Sequence, residues 1–149
     1  MRIALYQPEI AGNVGAILRL SACYGVPVDI IEPCGFAFSD KRLARAGMDY
    51  AVEAEIMRHA SWADFQAQRT GRLVLMTTKG AERLHDARFA PDDILLMGSE
   101  GSGVPEAVHA GVDLRIKIPL RAGFRSLNVG MAAGIALTEA LRQTGGLPE

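Results

Sequence analysis

Four stretches of the chain combine glycine with side chains able to hold a polar ligand. They are Asn13-Val14-Gly15, Met76-Thr77-Thr78-Lys79-Gly80, Gly98-Ser99-Glu100-Gly101-Ser102-Gly103 and Ala122-Gly123-Phe124-Arg125-Ser126-Leu127-Asn128. Glycine allows backbone to come close to a bound molecule. The amides of Asn13 and Asn128 can donate and accept, and the carboxylate of Glu100 accepts. The chemistry this suggests is the holding of an organic ligand by loops. None of the four is a Walker loop, because no Lys-Ser or Lys-Thr follows Gly103, and none has GxGxxG spacing between a strand and a helix. Nucleoside triphosphate chemistry is thereby disfavoured. His59, His85 and His109 lack clustered carboxylates or cysteines at ligand spacing, so they read as surface or packing residues and no metal is expected. Cys23 and Cys34 form no CxxC pair and read as reduced thiols in a packed interior.

The elements that must position these loops alternate. A first strand, Arg2–Tyr6, leads through a loop to Asn13, the expected N-cap of a helix ending before Gly25. Val14, Ile17, Leu18 and Ser21 share one side of that helix, and Arg19 projects from nearly the opposite side, over Gly12 and Gly15. Taken alone, Arg19 is most simply a solvated charge. A second strand, Val28–Ile31, is closed by Pro33, and a short basic helix over residues 40–46 ends at Gly47. A brief strand is expected at 50–53. Ser61 caps a helix carrying Trp62 and Phe65 as core, and buried strands follow at 72–78 and 93–98. Pro105 opens a short helix through Val108, and residues 114–120 make the last strand. Ser126 then opens an Ala- and Gly-rich helix to about Gln143, with Leu127, Ile135, Leu137 and Leu141 expected to be buried. Gly130 and Gly134 lie on one face of it, open to close approach. The pattern predicts an α/β fold with a mainly parallel sheet and helices on both faces.

With 149 residues and 49% of them hydrophobic, the chain fits one domain, 1–149. A formal net charge of −1 means that any nucleic-acid contact must use a local basic patch. Lys41, Arg42 and Arg45, joined by Arg19, Arg121 and Arg125, are the candidate patch. No apolar run approaches the roughly 18 residues of a membrane span, and the N-terminus enters a strand pattern with no cleavable signal, so a cytoplasmic location is expected.

Several runs, in order, carry a resemblance that spans nearly the whole chain. They are residues 5–15 through Arg19, Ile31-Glu32-Pro33, Gly35-Phe36, and Asp40-Lys41-Arg42-Leu43 through Tyr50, then Met97-Gly98-Ser99-Glu100 through Pro105, and Ile118-Pro119-Leu120 through Val129. Together they resemble the SPOUT superfamily of S-adenosylmethionine-dependent RNA methyltransferases, and within it the small branch that methylates the wobble ribose of tRNA. One departure is that no arginine follows Glu100 before Gly103.

The resemblance implies a SPOUT-type α/β fold with a C-terminal deep trefoil knot. It also implies a homodimer whose active sites are completed across the interface, with no metal. It implies that S-adenosylmethionine is held by Met76, Gly98, Ile118, Leu120, Ser126 and Leu127. By the same resemblance Arg19 anchors the RNA or assists deprotonation of the ribose 2′-hydroxyl. Asn13 and Asn128 order loops and substrate, and Glu100 braces the site. With no RNA-binding extension expected beyond Gly145-Gly146, the domain itself would recognise tRNA.

Overall fold

The computed structural model describes residues 1–37, 53–79 and 82–149. Among them, strands β1 (Arg2–Tyr6), β2 (Val28–Ile31), β3 (Ile56–His59), β4 (Leu73–Met76), β5 (Glu82–Arg83), β6 (Ile94–Met97) and β7 (Leu114–Lys117) form one sheet in the order β3-β2-β1-β6-β4-β7-β5. All six strand pairings are parallel. Helices α1 (Ala11–Tyr24), α2 (Trp62–Gln68) and α3 (Glu106–Gly111) lie between strands, and α4 (Val129–Thr144) follows the last.

The period-two alternation of strand side chains divides the core in two. Ile3, Leu5, Val28, Ile30, Val74, Leu95, Met97 and Ile116 pack with Val14, Ile17 and Leu18 of α1 and with Ala133, Leu137 and Leu141 of α4. Ala4, Tyr6, Ile31, Leu73, Leu75, Ile94 and Leu96 pack on the other face with Phe65 of α2 and Val108 of α3. Helices therefore cover both faces, as the near-continuous apolar runs of parallel strands require. Packing outweighs capping for α4: burying a side chain such as Leu137 or Leu141 contributes about 2 kcal/mol, against about 1 kcal/mol for a good N-cap.

The buried carboxylates of the sheet are paired, whereas His59 Nδ1 is buried without a hydrogen-bond partner among the described residues. Asp29 of β2 is 3% exposed and accepts from Arg2 Nε at 2.7 Å and Nη2 at 3.1 Å, with His59 Nε2 2.8 Å from its Oδ1. At the same amino end of the strands, the buried carboxylate of Asp93 takes two bonds from Arg72, each 2.8 Å, and its backbone carbonyl accepts from Arg2 N at 3.0 Å. Each guanidinium is held further in its charged form, chiefly by its hydrogen bond to the carboxylate.

Several expectations change. Asn13 does not cap α1; the helix begins at Ala11, with Ile10 in the capping position and no side-chain cap bond of its own. Ser126 does not open the last helix, because Asn128 accepts from the N–H groups of Gly130 and Met131 and takes the N-cap itself. Leu127 and Ile135 are exposed, at 38% and 40%, since one precedes the helix and the other lies on its outer face. Cys23 is exposed on the outer side of α1, and Cys34 is half-buried. The edge strands β3 and β5 have no counterpart in the sequence pattern, because edges need no continuous apolar run. Residues 40–47, which include Lys41, Arg42 and Arg45, lie outside the described residues, as do residues 50–52 and Gly80. Glu53 lies in a turn.

Candidate active site

From β1 the chain steps outward to β2 and β3, then returns to β4 on the other side of β1. Open parallel sheets bind ligands outside the carboxyl ends of the strands where the order reverses in this way. A cavity of about 570 Å³ opens there, within the usual size range of small-molecule sites. Met76, Thr77, Thr78 and Lys79 reach it from the end of β4, Gly98 and Glu100 from β6, and Ile118 and Leu120 from β7. Ser126, Leu127 and Asn128 reach it from the approach to α4, and Ile10 and Asn13 from the start of α1. All six residues expected to hold a cofactor thus share one wall with Asn13, Glu100 and Asn128.

A side-chain relay ties three of these segments together. Glu100 accepts from the backbone N–H of Glu9 at 2.7 Å and of Ile10 at 3.3 Å, and from Asn13 Nδ2 at 3.3 Å. It therefore gives the entry to α1 the acceptor that the helix lacks locally, and its negative charge suits the positive end of the helix dipole. Asn13 Oδ1 in turn accepts from Asn128 Nδ2 at 2.9 Å. Asn128 spends its own carbonyl oxygen on Gly130 N at 2.8 Å and Met131 N at 3.3 Å, so only its NH2 remains for Asn13. That choice orients the Asn13 amide with its NH2 toward Glu100.

The loop after β6 closes on itself. Ser99 and Gly103 exchange backbone hydrogen bonds of 2.9 and 2.8 Å, and Gly103 has φ +67°. A Cβ on Gly98 would stand 2.9 Å from Gly103 Cα, so the glycine here serves contact within the loop as well as lining the cavity. Ser99 Oγ donates to Glu9 Oε1 at 2.6 Å, which pins this loop to the segment entering α1. That segment leaves β1 through Gln7, whose φ of 41° is left-handed for a residue with a side chain.

A neighbouring hollow of about 390 Å³ is lined by Tyr6, Gln7, Glu9 and Cys34, among others. Burial, followed by the charge of Glu32, pushes the Cys34 thiol up to about 11 against the opposing pull of Arg58, so it is a thiol and no nucleophile at neutral pH.

Arg19 is not in the cavity wall. It is exposed on the face of α1 that also presents Gly12, Ala16 and Cys23, and a Cβ on Gly130 would lie 3.5 Å from that of Ala16. Arg121 and Arg125 are exposed in the loop joining two parts of the wall. Sequence reasoning passed over Glu9, whose role depends on a contact 90 residues away. It also gave no chemistry to His109, which lines the cavity with its Nε2 buried and without a hydrogen-bond partner among the described residues. Only its place on the short helix after the Gly98–Gly103 loop could have drawn notice.

Comparison with known proteins gives a consistent outcome. The model of the SpoU rRNA Methylase family matches residues 1–138. A tRNA (cytidine(34)-2′-O)-methyltransferase of Beijerinckia indica is 55% identical over 148 residues, covering 97% of this chain and 92% of its own. A solved structure described as giving insights into the 2-OH methylation of C/U34 on tRNA superposes with TM-score 0.90 at 40% identity, over 95% of this chain and 94% of that one. An AdoMet-bound rRNA methyltransferase from Sinorhizobium meliloti superposes with TM-score 0.84 at 27% identity, over 95% of this chain and 55% of that one.

Proposed function

The chain belongs to the SpoU rRNA Methylase family, and from that membership we infer that it is a tRNA (cytidine(34)-2′-O)-methyltransferase, acting on the ribose 2′-hydroxyl of the wobble nucleotide. The single observation that carries the substrate is the 55% identity, over almost the full length of both chains, to a relative of that activity.

S-adenosylmethionine is the methyl donor in this reading, and the cavity fits it. Met76, Ile118, Leu120 and Leu127 offer apolar surface to a flat heteroaromatic ring. Thr77 and Ser126 bring hydroxyls, and the Glu100 carboxylate suits a cationic ligand. When bound, the cofactor supplies an electrophilic methyl on a sulfonium. This chain's residues then hold and orient. Asn13, Glu100 and Asn128 fix the loops on which the reacting groups are aligned, which is where much of the rate advantage of such a transfer originates. Arg19 anchors the ribose and phosphate or assists loss of the hydroxyl proton, and anchoring suits a group that stays protonated.

A second copy completes the site. Leu20, Met131, Gly134 and Ile135 line an apolar groove, with Met131 62% and Ile135 40% exposed, and Ala16 on the Arg19 face of α1 borders its Gly130. Arg19 would serve the cavity of the partner across that groove. Residues 1–149 act as one domain, and the segment after β7 is threaded as a deep trefoil knot, a rare topology supported by family membership. Lys41, Arg42, Arg45, Arg121 and Arg125 join Arg19 in gripping tRNA, no metal takes part, and the enzyme works in the cytoplasm, where its substrate is.

Arg19→Ala tests the division of roles. It should keep cofactor affinity while losing methyl transfer; transfer at the parent rate would remove Arg19 from the mechanism.

A further inference from the structure

The loop between two parts of the cavity wall carries a feature that neither cofactor holding nor the core explains. Phe124 is 70% exposed, the most exposed of the large hydrophobic side chains among the described residues. Its backbone N–H donates to Arg121 O at 3.2 Å, closing a tight turn in which Gly123 has φ +91°. Phe124 does not line the cavity, although Leu120, Ser126 and Leu127 of the same segment do. Only Arg125 separates it from Ser126, which limits their Cα atoms to about 7 Å apart. It is flanked by Arg121 and Arg125, both exposed and neither in an ion pair with a described residue.

An unburied aromatic ring beside two uncompensated cations, on a loop whose two ends line the cavity, matches how proteins hold single-stranded RNA. Bases splayed from a loop stack on aromatic rings while arginines take the phosphates. We propose that Phe124 is a stacking platform for a nucleobase of the substrate tRNA beside the methylated ribose, with Arg121 and Arg125 holding the adjoining phosphates. The proposal rests on the tRNA reading above. Stacking is indifferent to base identity, so Phe124 contributes affinity and leaves sequence choice to other contacts.

Phe124→Ala, Phe124→Leu and Phe124→Trp are compared with the parent for tRNA binding, KM and kcat. Cofactor affinity by calorimetry and association state by sedimentation are measured alongside. Ala and Leu should raise KM for tRNA and weaken tRNA binding roughly tenfold, with kcat, cofactor affinity and association state as in the parent. Trp should restore the parent KM, and its added emission should be quenched by tRNA. A Leu variant that matches the parent, or an Ala variant that alters association state or cofactor binding, overturns the proposal. A parent that transfers no methyl to tRNA defeats the substrate reading instead, and the binding series still decides whether Phe124 engages RNA.

Discussion

Asn128 donates its side-chain NH2 to Asn13 Oδ1 at 2.9 Å while its own oxygen caps α4. One residue thus sets where the last helix begins and which way the Asn13 amide faces Glu100.

The two duties of Asn128 can be separated. Asn128→Ala removes the cap and should cost about 1 kcal/mol of stability together with activity. Asn128→Asp keeps a good cap acceptor but has nothing to donate to Asn13. Its urea midpoint should stay near that of the parent while methyl transfer falls at least tenfold. Equal activity in Asp and parent would mean that the relay does not matter to the reaction.

Glu100→Gln replaces one of the accepting oxygens of Glu100 by an NH2 that faces the N–H of Glu9 or of Ile10 and Asn13. Hydrogen bonds to charged groups contribute about 1.5–3 kcal/mol, so thermal unfolding should show a loss of about 2 kcal/mol. Cofactor affinity, measured by calorimetry, should fall with it.

The relay also marks what sequence could and could not reveal. Buried strands such as Ile94-Leu95-Leu96-Met97 announced themselves by unbroken apolar runs, and the turn residues after them marked the loops that become the cavity wall. Asn13 as a helix cap was a sound local inference, since Asn favours that position. It failed because Glu100, 87 residues away, provides the acceptor, and a contact of that separation leaves no periodic trace. Ser126 failed for a nearer reason: two good capping residues stand two apart, and the one whose amide also meets Asn13 takes the cap. The edge strands β3 and β5 were illegible because the two middle residues of β3 and both residues of β5 are exposed and carry little apolar signal.

The thiols should differ sharply in reactivity. Cys23 is exposed, whereas the Cys34 thiol is pushed up to about 11. Iodoacetamide at pH 8 followed by peptide mapping should label Cys23 first and Cys34 slowly. Because the folded value lies above the ordinary thiol value, the associated stability is complete below about pH 9 and is lost as pH rises toward 11. Equal labelling of both thiols in the folded protein at pH 8 would contradict this.

Asp29→Ala leaves Arg2 and His59 facing a vacated buried position. Breaking a buried charged cluster by removing one partner costs about 3–5 kcal/mol. Urea denaturation should show a loss of about 3 kcal/mol, reduced from the upper figure because Arg2 is 30% exposed. Cofactor affinity should be unchanged, since none of the three residues lines the cavity.

The most direct test of the central claim is to incubate the purified protein with labelled S-adenosylmethionine and bulk tRNA from a strain lacking the enzyme, then analyse nucleosides by mass spectrometry. Label is expected in 2′-O-methylated cytidine or uridine at the wobble position, and none with Arg19→Ala. Cofactor bound without any methyl reaching a tRNA ribose would contradict it.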